Sequence, residues 1–315
     1  MALVGGNIQA LTAIQERAGG IEAWAADAKG TIWYLAQSGP GGSLMDWEGP
    51  GFREQPVAAA RLAAARRNDD ASVMLALLDN SGMVSTLWRK PDGSWDPWSG
   101  PGVGRQQFSY ETIAAAPQGG GAGFQLFASD LDDQIWTLDQ GESGEWGEWQ
   151  GPGFEGQEIG MNRLAPVGAR DGGVTLCARD TRESIWAIGR SAPGKWGRWT
   201  GPGIGGAGEF FHIAAAELGG GGGGGVQLFA LDLKGQVSAV REDTPGGGWG
   251  SWEGPGFQSQ PVRFLHIAAA AQDNGNIMVL AGDEHGSLWT ISENEPNSEN
   301  WGNWTQSPGP GDQRS

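Results

Sequence analysis

The chain holds one cysteine among 315 residues, which excludes an intramolecular disulfide and leaves the redox compartment open. Basic residues are scarce as well: 20 Lys and Arg face 37 Asp and Glu, for a formal net charge of −17. A surface of that sign repels polyanions, so nucleic acid and anionic membranes are poor partners and no nucleic-acid partner or membrane insertion is expected, whereas a neutral ligand meets no such penalty. No stretch approaches the roughly 18 apolar residues of a membrane span. Residues 1–6 lack the basic start and apolar run of a signal peptide, so the expectation is a soluble protein, cytoplasmic or secreted without a classical signal peptide. No 3.6-residue periodicity runs through the sequence, which excludes a helical repeat.

Glycine, proline and tryptophan are plentiful instead. The 57 Gly and 17 Pro, with 38% apolar residues, suit short strands joined by many turns. Tryptophan, at 17 residues, outnumbers the 10 Phe and 2 Tyr, as expected of one motif copied many times. The motif is Trp-x-Gly-Pro-Gly. It starts at Trp47, Trp98, Trp149, Trp199 and Trp252, and a degraded sixth copy runs from Trp304 through Ser307-Pro308-Gly309. A second landmark keeps the same beat: Asp27, Asp79, Asp130, Asp180, Asp232 and Asp283 each follow an apolar run and open an Asp-x-x-Gly type turn.

Each unit accommodates four strands. The first is small and apolar, as in Ile113 to Ala116, and the second is typified by Phe124 to Ala128. The Asp turn links the second to a third strand that begins at an aliphatic-Trp pair such as Ile135-Trp136. The fourth carries Trp-x-x-Trp, and Gly-Pro-Gly ends it. Six such units predict a single all-β domain, a closed six-bladed β-propeller with four antiparallel strands per blade. The blades fall at approximately 7–53, 54–104, 105–155, 156–206, 207–257 and 258–306, with a tail at 307–315. Alanine in the first strand fits an innermost strand, where strands converge on the axis.

In a four-stranded meander the Asp turns and Gly-Pro-Gly connections leave one side of the ring. The loops of variable length, including the glycine run 219–225, leave the other, where recognition tends to sit. The tryptophans form three columns. The second Trp of each pair is present in every copy and reads as a packing plug between blades. The first column is Trp95, Trp146, Trp196, Trp249 and Trp301, with Leu44 in copy one; it lies on the variable-loop side, and strand alternation sends it to the sheet face opposite the second Trp. The third column is Trp33, Trp136, Trp186 and Trp289, replaced by Ser85 and Ser238 in copies two and five. The first and third columns are the candidate sugar-binding residues, because an indole face stacks on the C–H face of a pyranose and its N–H can bond a hydroxyl. Grooves between blades would supply such faces, and several weak sites on one ring would gain through multivalency.

Other residues read as structural. Cys177 shares a column with Trp24, Ala76, Phe127, Phe229 and Leu280 and reads as a core thiol. His212 and His266 stand before the alanine strand in copies five and six, where copies two and four carry Arg61 and Arg163, a placement toward the axial channel. A metal there would want a third ligand, and no acid occupies the position, so no metal or other cofactor is expected.

The Asp-x-x-Gly turn, the aliphatic-Trp pair and Gly-x-Trp-x-x-Trp together resemble the Trp-rich β-propeller lectins over residues 7–306. The likeness is greatest to bacterial fucose-binding lectins of the Photorhabdus type, and more distant to tachylectin-type and mushroom propeller lectins. That resemblance implies shallow carbohydrate sites between blades, with neutral glycans such as fucose or O-methylated sugars as partners, and it is compatible with an oligomer. The Arg-Val-Tyr signature of the fungal fucose lectins is absent. Catalysis is disfavoured: the inner strands offer Ala where six-bladed lactonases place metal ligands, and only Tyr34 and Tyr110 are available for the tyrosine a sialidase site requires. The alternative is a protein-binding propeller scaffold or targeting module of a larger assembly.

Overall fold

The computed structural model describes residues 7–16, 18–67, 70–118, 123–141, 144–168, 173–192, 195–201, 209–219, 225–242, 248–307 and 309–310. Most of the glycine run (220–224), two residues of the fourth Gly-Pro-Gly (202–203), Pro308 of the sixth and the tail from 311 lie outside them.

Six antiparallel sheets follow one another along the chain. Blade one comprises β1 (Ala10–Gln15), β2 (Ile21–Ala26) and β3 (Ile32–Ala36); blade two β4 (Ala59–Arg66), β5 (Val73–Asp79) and β6 (Val84–Arg89); blade three β7 (Tyr110–Pro117), β8 (Phe124–Asp130) and β9 (Ile135–Asp139). Blade four comprises β10 (Met161–Gly168), β11 (Val174–Asp180), β12 (Ile185–Ala192) and β13 (Lys195–Trp196); blade five β14 (Phe210–Glu217), β15 (Val226–Asp232) and β16 (Val237–Arg241); blade six β17 (Phe264–Ala271), β18 (Ile277–Asp283), β19 (Leu288–Ser292) and β20 (Thr305–Ser307). The first strands β1, β4, β7, β10, β14 and β17 touch in that order, and β17 packs back on β1. That return is made by side chains and loop bonds rather than by a shared sheet: Ile8 and Leu11 join Ala268, Ala270 and Leu280 in one cluster, and Asp273 N donates to Gly19 O at 2.8 Å. The second strand of each sheet lies between two neighbouring sheets, so β2 and β15 carry almost unbroken apolar runs, buried on both faces. Among the described residues no helix is long and apolar enough to cross a membrane.

Among the described residues only blades four and six form a fourth strand; in the other four blades that segment is held by two isolated bridges. In every blade the fourth segment carries a register shift. In blade three Gln140 faces Trp146 and Thr137 faces Gln150, so three residues on one side span four on the other. The same three-against-four spacing recurs in all six copies, for example Arg190 with Trp196 and Ala187 with Thr200. One extra residue per copy bulges out and interrupts the ladder.

Among the described residues two devices stitch neighbouring blades at four boundaries: one to two, two to three, three to four and five to six. The Asp-turn carbonyls Gly30 O, Gly82 O, Asp133 O and Gly235 O accept from Ala59, Tyr110, Met161 and Phe264 N at 2.7–3.0 Å, at the start of the following inner strand. A linker glutamine, Gln55, Gln106, Gln157 or Gln260, bonds both sides of the same junction: Gln157 Oε1 accepts from Ile135 N at 2.9 Å, and its Nε2 donates to Asp133 O at 2.8 Å. Sequence reading missed this staple, although its 51-residue spacing from Gln55 to Gln106 to Gln157 was visible.

Candidate functional site

The third-column tryptophans are fixed by the turn that precedes them. In every copy Asp Oδ1 accepts two backbone N–H groups of its own turn, as Asp130 does from Asp132 at 3.0 Å and Gln134 at 2.9 Å. The other carboxylate oxygen then accepts the indole N–H: Trp33 to Asp27 at 3.1 Å, Trp136 to Asp130 at 2.7 Å, Trp186 to Asp180 at 2.8 Å and Trp289 to Asp283 at 2.9 Å. The expectation of an indole N–H free for a sugar hydroxyl is therefore corrected at all four positions; only the ring face and edge remain. One face is closed by the Gly-Pro-Gly segment, since a Cβ on Gly151 would sit 2.7 Å from Trp136 and one on Gly201 2.6 Å from Trp186. In copies two and five the same glycines close on the buried Ser85 and Ser238, and no indole is presented.

The bulge corrects a second expectation. Trp146 shares its face with Gln140, while Gln150 shares the opposite face with Thr137, which brings Trp149 onto the Trp146 side. Both tryptophans of a pair therefore point toward the preceding blade: Trp146 with Trp149, Trp196 with Trp199, Trp249 with Trp252 and Trp301 with Trp304 each pack on one cluster. The second Trp is the packing plug expected. Its N–H donates across the blade boundary, Trp149 to Val103 O at 2.9 Å and Trp304 to Phe257 O at 3.0 Å.

The first column is also a packing element. Trp95 meets Phe52 edge-on at 5.4 Å, Trp196 meets Phe154 at 4.9 Å and Trp301 meets Phe257 at 5.1 Å. Behind each phenylalanine stands a large second-strand aromatic, namely Trp24, Phe127 or Phe229. At the intervening boundaries that second-strand position is Ala76, Cys177 or Leu280. The six boundaries thus alternate between an aromatic and a small-residue filling, so the packing repeats every two blades. Trp146, at a small-residue boundary, donates to Thr86 Oγ1 at 3.3 Å instead. Cys177 is fully buried, and burial raises its thiol pKa, in keeping with an inert core thiol.

Two equivalent crevices are open on the Asp-turn side among the described residues. Between blades two and three, a cavity of about 210 Å³ is lined by Arg105, Phe108, Trp136, Glu148 and Trp149. Between blades three and four, one of about 280 Å³ is lined by Glu158, Ile159, Trp186, Arg198 and Trp199. The two match column by column: a third-column Trp, a second Trp, an apolar linker residue and a charged rim. Phe108 is half exposed and lies 4.8 Å from Trp136, centroid to centroid. Both cavities fall below the ~300–1,000 Å³ of drug-sized pockets and suit a single ring. A third cavity, about 290 Å³, lies between blades one and two on the variable-loop side, beside Trp95, Tyr34 and Arg89. There Arg89 pairs with the buried Glu22 at 2.5 and 2.9 Å and covers the Trp95 ring at 5.4 Å. No group of three His, Cys, Asp or Glu among the described residues is placed to hold a metal.

No family model matches the chain, and no curated protein matches it in sequence. Solved structures do. AofleA from Arthrobotrys oligospora superposes with a TM-score of 0.72 at 13% identity, over 98% of this chain and 88% of its own. The Aleuria aurantia lectin, described as a six-bladed β-propeller with a novel fucose recognition mode, gives 0.66 at 17% identity, over 97% and 96%. The fold is a six-bladed β-propeller. A Burkholderia pseudomallei lectin is also similar, at 0.59 and 18%, over 96% of this chain and 84% of its own. At these identities the likeness is one of fold, and the propeller is shared by proteins of many functions.

Proposed function

We propose that the protein is a multivalent, non-catalytic lectin that takes neutral glycans in crevices between neighbouring blades. The observation that carries this reading is the recurrence, at the second-to-third and third-to-fourth blade boundaries, of a ring-sized aromatic crevice with a charged rim. Trp186 is a rigid platform because its N–H is already bonded to Asp180, and at the second-to-third boundary the half-exposed Phe108 offers the face over Trp136, itself fixed by its bond to Asp130. A fixed ring loses little entropy on stacking, and charged rim groups such as Glu148 and Arg198 can orient the hydroxyls. The recognition of fucose by the Aleuria aurantia lectin makes fucose the first sugar to try, with O-methylated sugars next. Trp33 and Trp289 occupy the equivalent column at two further boundaries. The first column, Trp95, Trp146, Trp196, Trp249 and Trp301, contributes mainly by packing between blades, and Trp95 also borders the cavity between blades one and two.

Calorimetric titration with α-methyl fucoside, alongside a neutral-glycan array, tests the reading. Binding at more than one site per chain is expected. Phe108→Ala and Ile159→Ser, which touch the crevices without entering the Asp–Trp bonds, should each remove a site and leave the melting temperature within a few degrees. Silence across neutral and O-methylated glycans would sink the proposal and favour the protein-binding scaffold.

A further inference from the structure

The axis of the ring holds a feature the lectin reading does not use. Five of the six inner strands carry a bulge near their start, between Ala59 and Arg61, Tyr110 and Thr112, Met161 and Arg163, Phe210 and His212, and Phe264 and His266. In blade one the register runs unbroken from Ala10. A bulge sets two residues against one and re-aims a side chain. Here Arg61, Thr112, Arg163, His212 and His266 all line one cavity of about 320 Å³, walled only by the inner strands and the residues that lead into them.

The chemistry of that wall opposes the charge of the whole chain. The protein carries −17 overall, yet among the described residues no acid lines the axial cavity. Arg61 and Arg163 make no ion pair among the described residues, and each donates one hydrogen bond, to the preceding carbonyls Ala60 O at 2.9 Å and Asn162 O at 2.7 Å. Arg163 is disfavoured as a cation by burial, then by Arg61 and Arg179; Glu111 and Asp133 offset this from outside the cavity wall. The His212 and His266 rings stand 5.7 Å apart and nearly perpendicular. His212 Nδ1 is buried with no hydrogen-bond partner among the described residues. Two guanidiniums and an unsatisfied imidazole facing one chamber are costly unless something pairs with them.

We propose that the axial cavity is a binding site for a phosphate-sized oxyanion. Guanidinium groups present N–H donors in a fork that fits tetrahedral oxyanions, and such charge-assisted bonds are about twice as strong as neutral ones. The Thr112 hydroxyl and the imidazole groups supply neutral donors, so the anion is held by two charges and several dipoles. A bound anion removes the repulsion between Arg61 and Arg163 and satisfies donors on five blades, and it thereby ties the ring together from its centre.

Inorganic phosphate is the probe, with sodium chloride at matched ionic strength as the reference. The full chain should bind one phosphate by calorimetry, and its melting temperature should rise by several degrees in phosphate over chloride. The double change Arg61→Gln/Arg163→Gln should melt no lower than wild type in chloride, because an uncompensated charge pair is gone. It should weaken phosphate binding about tenfold or more, since the anion then has neither of its charge-assisted partners. Lys234→Gln, at an exposed turn position outside the axial cavity and the inter-blade crevices, should leave the phosphate response intact. If the double variant fails to fold, Arg61→Gln alone carries the comparison. Absence of a phosphate-specific shift in wild type, or its persistence in the arginine variants, overturns the proposal. α-Methyl fucoside binding is measured in the same variants, so failure here is distinguishable from failure of the lectin reading.

Discussion

Replacing Asp130 by alanine offers a direct measure of how the third-column tryptophan is held. Asp130 accepts three hydrogen bonds, from Asp132 N at 3.0 Å, Gln134 N at 2.9 Å and Trp136 Nε1 at 2.7 Å. The two turn amides can turn to water when the carboxylate is removed. The indole cannot, because Trp136 is 7% exposed and lies beneath Gly151 and beside Phe108. A bond to a charged acceptor contributes about 1.5–3 kcal/mol, and a buried donor left unpaired costs about 1–3 kcal/mol. The protein supplies its own control in Asp79, whose turn has the same backbone geometry, with bonds from Ser81 N at 2.8 Å and Met83 N at 3.0 Å and a third from the exposed Ser81 hydroxyl at 2.6 Å, which can turn to water, but whose third strand carries Ser85. Asp79→Ala is therefore expected to cost about 1–2 kcal/mol and Asp130→Ala about 3–5 kcal/mol. Urea unfolding followed by tryptophan fluorescence reads both, provided the slopes agree. Equal costs at the two positions would refute the view that the aspartate serves as an indole anchor as well as a turn former.

Two further outcomes follow from packing and burial. Phe257→Ala, which removes the middle ring between Phe229 and Trp301, should destabilise by about 3–5 kcal/mol, whereas Val103→Ala at the alternate type of boundary should cost about 1–2 kcal/mol by thermal or urea melts. His266 is pushed down from 6.5 to about 4, chiefly by burial and then by Arg61 and Arg163. Its folded value lies below its unfolded value, so the unfolded chain binds the extra proton first, and stability falls as pH drops from about 6.5 toward 4. The full shift corresponds to about 3 kcal/mol. His266→Gln should flatten that part of a stability-against-pH curve relative to wild type, and identical curves would show that His266 is not the group responsible.

Much of the architecture was legible because the repeat states it six times over. Asp27 to Asp283 at one beat located the turn between second and third strands in every copy, and the alanine-rich first strands marked the innermost position. The sites were less legible. Strand alternation placed Trp146 and Trp149 on opposite faces, yet one bulged residue brings them to the same face. No residue type marks that bulge, since the extra position is an ordinary residue in each copy. The alternation of aromatic and small fillings was present in the column Trp24, Ala76, Phe127, Cys177, Phe229, Leu280, but it acquires meaning only once Phe52, Phe154 and Phe257 are seen to fill the same boundaries.

The sequence alone determined the number of units, the order of strands and the positions of the turns, because these depend on local hydrogen-bonding residues and on alternation along one strand. The tertiary structure decided which tryptophans plug, which are anchored and which border open space. Those roles depend on what the preceding blade presents from about fifty residues away. The axial cluster is of the same kind. Arg61, Arg163, His212 and His266 are commonplace in their own strands, and they become a cationic chamber only when five bulged strands and one regular neighbour converge on the axis.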